Sequence, residues 1–444
     1  MTDTVRYPNM KDSGIKWIGY VPASWNVRTL YQLATRVKNK NSDLSEQNLL
    51  SLSYGKIKRK DINTNDGLLP ASFDGYNIIE AGDIVLRLTD LQNDHTSLRV
   101  GQATERGIIT SAYTTLHPIN PAHSRYLYYL IHAFDLKKGF YGMGSGVRQG
   151  LNYDEVKELR VVLPSQSEQD AIVGFLDTQT SNIDSLIEEA KASIEEYKQW
   201  KISIVNEAVT KGLVLGVEMR DSGIPWIGKI PFLWNKLPLK RVILSRDGGA
   251  WGNDPKGDIN DRICMRIADF DFDMICFKNR PIEEYTARSY SENQVRKLEL
   301  KRDYVCIEKS GGGEKTPVGR AVLFDKGFSA LYANFMDRLI INEEYVTPRF
   351  FTYYWQAMYF HSVSTVYIKQ TTGIQNLNLA GMIENEYVVF PSLNEQAKIT
   401  RYLDEKSQLI RNLIEEKQTL IEELEAYKRS LIYEVVTGKR KVGL

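Results

Sequence analysis

Two long stretches of the chain carry apolar residues at steps of three and four. In the first, Leu176, Ile183, Ile187, Ala190, Ile194, Tyr197, Ile204 and Ala208 form a stripe. In the second, Leu403, Ile410, Ile414, Lys417, Ile421, Leu424, Leu431 and Val435 take the matching places, with Glu and Lys between. A heptad-like stripe sustained over about five repeats predicts a long helix packed along one partner, since globular helices average about 11–12 residues. About 40 helical residues rising about 1.5 Å each make a rod near 60 Å long. Each stretch opens on a proline, Pro164 or Pro391, where a missing N–H costs little, followed by a capping Ser165 or Ser392.

Between the rods the pattern changes to short β-type runs punctuated by Gly, Asp and Asn. Residues 49–57, 76–88 and 107–119 read so in the first half, and 262–270, 303–313 and 330–342 in the second. Each half also holds a short aromatic helix, at 125–134 and 349–358, whose rings at helical spacing read as core packing. Small curved sheets with functional loops follow from this pattern.

An internal repeat fixes the organisation. MKDSGIKWIGYVPASWN (10–26) and MRDSGIPWIGKIPFLWN (219–235) share Met, Asp, Ser, Gly, Ile, Trp, Ile, Gly, Pro, Trp and Asn, 11 of 17 positions. VVLPSQSEQDAIVGFLD (161–177) matches VVFPSLNEQAKITRYLD (388–404), with Pro164/Pro391, Glu168/Glu395, Gln169/Gln396 and Asp177/Asp404 in register. The offsets differ, 209 residues for the first pair and 227 for the second, so the second interior is about 18 residues longer. Residues 27–145 and 236–372 share little, which gives each copy a constant frame and a variable interior. The first rod leads from module one to module two, so the second must run back to bury its stripe, and its end near Thr437 should lie beside Met10–Trp25. The expected fold is α+β: two α/β modules with small curved β-sheets, separated by two long helices that pair as an antiparallel coiled coil, in a pseudo-twofold symmetric repeat.

Composition adds little. The 444 residues, 42% hydrophobic and 25% charged, suit a soluble chain of two to four domains. No apolar run approaches the roughly 18 residues of a membrane span, and the N-terminus lacks a signal pattern, so the expected location is cytoplasmic. Cys264, Cys276 and Cys306 fit neither a disulfide framework nor a zinc site. Residues 26–163 carry 17 Lys and Arg against 14 Asp and Glu, while 164–212 carry 4 against 9. Any nucleic acid would therefore meet the modules, because an acidic rod repels phosphate.

With DSGIKWIG and DSGIPWIG, GVRQGLN (146–152) and GIQNLN (373–378), and the P-S-x-x-E-Q rod entrances in the same order twice, the chain resembles the DNA specificity subunit of type I restriction–modification systems. The resemblance implies target-recognition domain 1 at 1–163 (with repeat segment 10–26), a spacer helix at 164–212, target-recognition domain 2 at 213–390 (with 219–235), and a second spacer helix at 391–444. It implies a bipartite, asymmetric double-stranded DNA target, each half read by one module, with the paired helices setting the spacing. It also implies two modification (methyltransferase) subunits, which would carry S-adenosylmethionine, and two restriction (motor–nuclease) subunits. No cofactor, metal or membrane is expected for this chain itself.

Base reading needs Arg, Asn or Gln forks, with Lys, Ser and backbone N–H groups on phosphate. Polar residues in or beside Gly/Ser-rich strand ends meet that description. In module one these are Ser53, Tyr54, Lys56, Lys58, Arg59, Arg87, Asp90, Ser111, Tyr113, Arg148 and Gln149; in module two, Arg266, Asp269, Lys309, Ser310, Gly311, Gly312, Tyr332, Asn334, Lys369, Gln370 and Gln375. The glycine segments are one residue out of register between the copies. For subunit docking the rods offer Ile183, Ile187, Glu188, Ile194, Ile410, Ile414, Ile421 and Leu424.

Catalytic signatures are missing. No Asn-Pro-Pro-aromatic or Asp-Pro-Pro-Tyr methyltransferase motif occurs, and SGGGEKT (310–316) places Glu314 where a phosphate loop needs Gly. The five histidines show no ligand spacing. A DNA-reading adaptor without catalysis is expected. A hidden enzyme would need methylation by the chain alone, and a pure protein scaffold would show no preference among duplex sequences.

Overall fold

The computed structural model describes residues 6–63, 70, 72–94, 96–143, 150–371 and 373–443. Two compact units divide the chain: Met1–Glu189 with Thr419–Leu444, and Ala190–Gln418. The two predicted rods are single helices, Gln166–Lys211 and Leu393–Val436. Their proline entrances stand just outside the first turn, and the Ser392 hydroxyl accepts from the Glu395 N–H at 3.4 Å.

Within the first unit, Ile172, Leu176, Ile183 and Ile187 of the first rod share a core with Leu431, Ile432, Val435 and Val436 of the second. Within the second unit, Val205, Ala208 and Val209 of the first rod pack with Ile399 and Leu403 of the second. Start thus meets end in each unit, so the rods pack together in antiparallel sense, as the stripes require.

The closing contact lies in the first unit. The Tyr433 hydroxyl donates to the Trp17 carbonyl at 3.1 Å, the Tyr126 hydroxyl to the Val436 carbonyl at 3.2 Å, and the Lys439 ammonium to the Tyr20 carbonyl. The second rod therefore ends against the Trp-Ile-Gly segment, where the repeat placed it. Gly438 ends the rod in the left-handed region at φ +68°, with Pro22 Cδ 2.3 Å from where a Cβ would sit.

Both copies of the Trp-Ile-Gly segment form one hairpin, Met10–Asp12 with Tyr20–Pro22 and Met219–Asp221 with Lys229–Pro231. Asp12 and Asp221 accept from the N–H groups of Gly14 and Gly223, both at 2.9 Å, which explains why Asp-Ser-Gly recurs. The Glu-Gln entrance is equally concrete. Gln169 and Gln396 are buried, and each donates to its own helix-opening proline carbonyl at 3.0 Å. Their oxygens bind the module, through His123 Nδ1 at 2.9 Å and the Thr347 N–H at 2.8 Å.

The variable interiors are the β-rich parts, and all six predicted runs contain strands. In the first unit a four-stranded antiparallel sheet orders Ala34–Arg36, Thr114–Pro118, Ile84–Leu86 and Val100–Gln102. In the second a six-stranded sheet orders Ile243–Gly248, Met336–Ile341, Val305–Glu308, Ala321–Leu323, Cys276–Phe277 and Phe270–Asp271. The longer second interior builds a separate hydrophobic cluster around Met265, Phe277, Phe324 and Tyr332. The aromatic helices, Ser124–Leu136 and Pro348–Phe360, seal each module against its rods.

Candidate nucleic-acid interface

In the first unit the sequence candidates fall into three groups. Ser53, Tyr54, Lys56, Lys58 and Arg59 lie on one hairpin, Leu50–Ser53 with Lys56–Arg59. Tyr54 stands at its tip, 81% exposed, with φ +48°, a conformation that a bulky residue rarely adopts. Lys58 is exposed, Arg59 forks onto Glu105 with Nε 2.7 Å from one oxygen, and Lys56 Nζ lies 3.7 Å from Asp184 of the first rod.

Arg87 and Asp90 sit in the loop after Ile84–Leu86. Arg99, absent from the sequence candidates, holds that loop: fully buried, it donates to the carbonyls of Thr89 at 2.7 Å and Asp90 at 3.1 Å, and to the Tyr141 hydroxyl at 2.9 Å. Its own backbone N–H donates to Asp135 at 2.6 Å, whose carboxyl burial pushes up to about 6. Ser111 is exposed in the turn before Thr114–Pro118, and Tyr113 packs on the same small cluster as Leu50 and Leu52 of the hairpin. Arg148 and Gln149 lie outside the described residues.

In the second unit, two segments about 60 residues apart in sequence converge. Strands Ser310–Gly311, Ile374–Leu377 and Ile368–Thr371 form one small antiparallel sheet. One row across it is Ser310–Asn376–Lys369 and the next is Gly311–Gln375–Gln370. Lys369, Gln370 and Asn376 are exposed, and the Ser310 hydroxyl donates to Asn376 at 2.7 Å. Lys309 binds Asp337 at 2.6 Å, and Arg246 approaches the same carboxylate at 3.5 Å. Asn334 lies exposed in the adjoining turn, where the Phe335 carbonyl accepts from the Lys309 N–H at 2.9 Å. Asn376, next to the candidate Gln375, and Arg246 join this surface although neither is among the residues expected from the sequence.

Other candidates of the second unit face inward. Asp269 is fully buried, capping its own turn by accepting from the Arg266 N–H at 2.9 Å, with Arg280 3.4 Å away. Tyr332 is buried and donates to the Asp247 carbonyl at 3.0 Å, and Gln375 accepts from the Val318 N–H at 3.2 Å. Gly312 adopts φ +56° with Val318 atoms 2.9 Å from a hypothetical Cβ. Asp269, Tyr332 and Gln375 shape the surface from beneath, whereas Gly312 stays exposed in its turn.

The rod residues divide the same way. Ile183, Ile187 and Ile410 are buried within this chain, Ile421 and Leu424 pack on the first unit's core, Ile194 and Ile414 are half-buried, and Glu188 is exposed. The large apolar side chains that the rods leave exposed are Leu186, Trp200, Leu393, Leu409, Leu420 and Tyr427. Trp200 and Tyr427 occupy equivalent places, 227 residues apart.

Among the described residues no group of His, Cys, Asp and Glu could hold a metal, and no helix is long and apolar enough to cross a membrane.

Comparisons with known proteins bear on this architecture. A chain from a structure described as the "structural basis underlying complex assembly and conformational transition of the type I R-M system" matches with a TM-score of 0.66 at 13% identity, covering 94% of this chain and 98% of its own. The HsdS subunit from Thermoanaerobacter tengcongensis matches with a TM-score of 0.48 at 14% identity over 94% of this chain and 98% of its own. No curated protein matches by sequence. The family model of the type I restriction modification DNA specificity domain matches residues 22–196 and 278–426, one stretch in each copy of the repeat. Those stretches make up well over half of the chain, which therefore belongs to the type I restriction–modification DNA specificity family, as the component with two target-recognition domains that carries specificity rather than catalysis.

Proposed function

We propose that each module reads one half of a bipartite, asymmetric DNA target, and that the paired rods set the spacing between the halves. On this reading residues 1–163 and 213–390 are the two recognition domains, and 164–212 and 391–444 the spacers. The observation that carries it is the duplicated frame around unlike interiors: a conserved scaffold with two different surfaces suits two different half-sites.

The proposed readers in the first module are Tyr54, Lys58, Arg59, Arg87, Asp90 and Ser111, with Ser53, Lys56 and Tyr113 shaping the hairpin and Arg148 and Gln149 as further contacts. In the second module Lys309, Ser310, Gly311, Asn334, Lys369, Gln370 and Asn376 would meet the duplex, and Arg266 would flank them. A bidentate base contact discriminates by about 1–3 kcal/mol, so several per half-site are needed. Joining the halves makes the second engagement intramolecular and raises avidity without new contacts.

The same reading places this chain in a complex with two methyltransferase subunits that bind S-adenosylmethionine, and with motor–nuclease subunits. The structural neighbour described in terms of type I assembly supports such a complex. Docking would use the outward rod faces around Glu188, Trp200 and Tyr427. The test is sequencing of methylated sites in cells that carry the assembled system. Replacing residues 27–145 with another such module should change one half-site and leave the spacer and the other half alone. A change in both halves would refute the assignment.

A further inference from the structure

The two modules meet their rods through one conserved clamp. In the first unit Arg125 donates to Asp177 at 2.5 Å, and the Tyr129 hydroxyl to the same oxygen at 2.5 Å. In the second, Arg349 donates to Asp404 at 2.6 Å and the Tyr353 hydroxyl at 2.7 Å. Seven residues beyond each arginine the helix presents His132 or Gln356, and the rods present Lys428 or its equivalent Lys201.

What fills the space beside the clamp differs. In the second unit a segment of the module itself enters it. Asp273 accepts from Lys201 at 2.9 Å, Asp271 accepts from Arg411 at 2.5 Å, and the Phe272 carbonyl accepts from Gln356 Nε2 at 2.7 Å. The Phe272 ring packs edge-on against Tyr359 at 5.1 Å. Three cations (Lys201, Arg349, Arg411) thus meet three carboxylates (Asp404, Asp271, Asp273).

In the first unit the corresponding space is a cavity of about 280 Å³, lined by Lys56, Arg125, His132, Asp184 and Lys428 among others. Here Lys428 turns to Asp184 at 2.6 Å, and Lys56 shares that carboxylate at 3.7 Å. Three cations (Lys56, Arg125, Lys428) share two carboxylates (Asp177, Asp184). His132 is 7% exposed, and among the described residues its Nδ1 has no hydrogen-bond partner. Leaving a buried polar atom without a partner forfeits its hydration with nothing in return. The cavity is therefore one acceptor and one negative charge short of its counterpart.

We propose that this cavity receives an acidic, aromatic-flanked peptide segment of a protein partner, the role that Asp271–Asp273 plays within the second unit. Its carboxylate completes the Lys56–Lys428 pair, and a carbonyl or carboxylate oxygen takes the His132 ring N–H. A peptide fits better than a DNA phosphate. The rod that forms one wall carries 9 acidic residues against 4 basic over 164–212; a duplex would bring a row of phosphates against that field, whereas a peptide brings a few carboxylates, one of them next to the Lys56 and Lys428 ammonium groups.

The test uses the full chain and a fluorescein-labelled peptide with the sequence of residues 268–275, followed by polarisation. Saturable binding is expected, with His132 imidazole resonances of the unmodified chain shifting along the same titration. The peptide with Asn in place of both Asp271 and Asp273 should bind at least about tenfold more weakly, as should wild-type peptide to His132→Leu. His132→Gln should retain binding, because Gln356 makes the corresponding bond. Far-ultraviolet circular dichroism checks that the variants are folded, and the His132 resonances report on the site without any substitution. Absence of saturable binding, equal binding of the Asn peptide, or unmoved His132 resonances would overturn the proposal. So would a short duplex that displaces the peptide and shifts His132 itself, which would make phosphate the occupant.

Discussion

The module–rod junctions of the two units share a scaffold and oppose each other in charge. The scaffold is the Arg–Asp–Tyr clamp at Arg125 and Arg349, the Gln169 and Gln396 anchors, and the hairpins after Met10 and Met219. One position on the rods breaks the likeness: Asp184 in the first copy stands where Arg411 stands in the second. Each faces a module residue of the opposite sign, Lys56 at 3.7 Å in one unit and Asp271 at 2.5 Å in the other. A conserved clamp lets either rod hold a module of this kind. The charge at this one position complements the sign of the module residue that faces it in each unit.

Reversing that charge is the strongest way to break the comparison. Arg411→Asp gives the second rod the residue of the first and sets three carboxylates together, with Asp271 and Asp273. Removing one partner of a largely buried pair costs about 3–5 kcal/mol, and the exposure of Asp273 pulls the expectation to the lower end, about 3 kcal/mol. Urea melts should show it. Adding Asp271→Arg should restore a large part, whereas the same change in the wild type should not stabilise. Additive losses in the double variant would mean that the pair is incidental.

The next effect is a pH dependence confined to the first unit. Burial, with Lys428 and Arg125 nearby, pushes the His132 imidazole down to about 4 from an ordinary value near 6.5. Its folded pKa is depressed, so the unfolded chain binds the proton more readily. Stability is full above about pH 6.5 and falls as pH drops toward 4, by about 2 kcal/mol at pH 5. Asp135 works the other way: its carboxyl, pushed up to about 6, holds a proton that favours the folded state below that pH. Comparing wild type with His132→Gln isolates the histidine. The variant should lose about 2 kcal/mol less between pH 7 and pH 5, whereas a matched loss would mean that His132 is not buried in neutral form. The matching position of the second unit contributes no such pH dependence, because Gln356 does not titrate.

Much of this architecture was legible in the sequence because it is periodic or repeated. The rods follow from stripes at three and four, their antiparallel sense from chain path, and the closure at Trp17 and Tyr20 from the repeat. The surface was legible only in part. A rule based on polar residues at strand ends found Lys309, Ser310, Lys369 and Gln370, which one sheet brings together. It also selected Asp269 and Tyr332, which are buried, since a polar residue beside a glycine serves equally as an internal brace. Arg99 is not legible in the sequence because one arginine between apolar neighbours gives no periodic signal, and its partners are carbonyls of the preceding loop and the distant Tyr141 and Asp135. The stripe offers Ile183 and Ile187 for subunit docking, yet both are buried within this chain, in a core shared by the module and the second rod.

Rod termination gives a smaller test. Gly438 and Gly212 end the two helices at φ +68° and +76°, the left-handed geometry of a helix C-terminus. Alanine at either costs about 1 kcal/mol for the backbone alone. At Gly212 the nearest atom to the new Cβ is a Glu395 carboxylate oxygen at 3.1 Å, which can move. At Gly438 it is the Pro22 ring at 2.3 Å, which cannot move without shifting the hairpin. Gly438→Ala should therefore destabilise more than Gly212→Ala by thermal melting, and equal losses would mean that the closing contact is loose.

The smallest expected effects separate the two reading surfaces. Lys58 is exposed and would meet phosphate, whereas Asn376 lies in a row with Ser310 and Lys369 and would meet a base edge. Lys58→Ala in the assembled complex should weaken binding to every sequence by a similar modest factor and lower the slope of log affinity against log salt by about 1. Asn376→Ala should leave that slope unchanged and relax discrimination at one base pair of one half-site, by about 1–3 kcal/mol if the contact is bidentate. Competition binding with a duplex set varied at every position of both half-sites reads both quantities together. If Asn376→Ala relaxed positions in both halves, the modules would not be independent readers, and the unlike interiors would need another explanation.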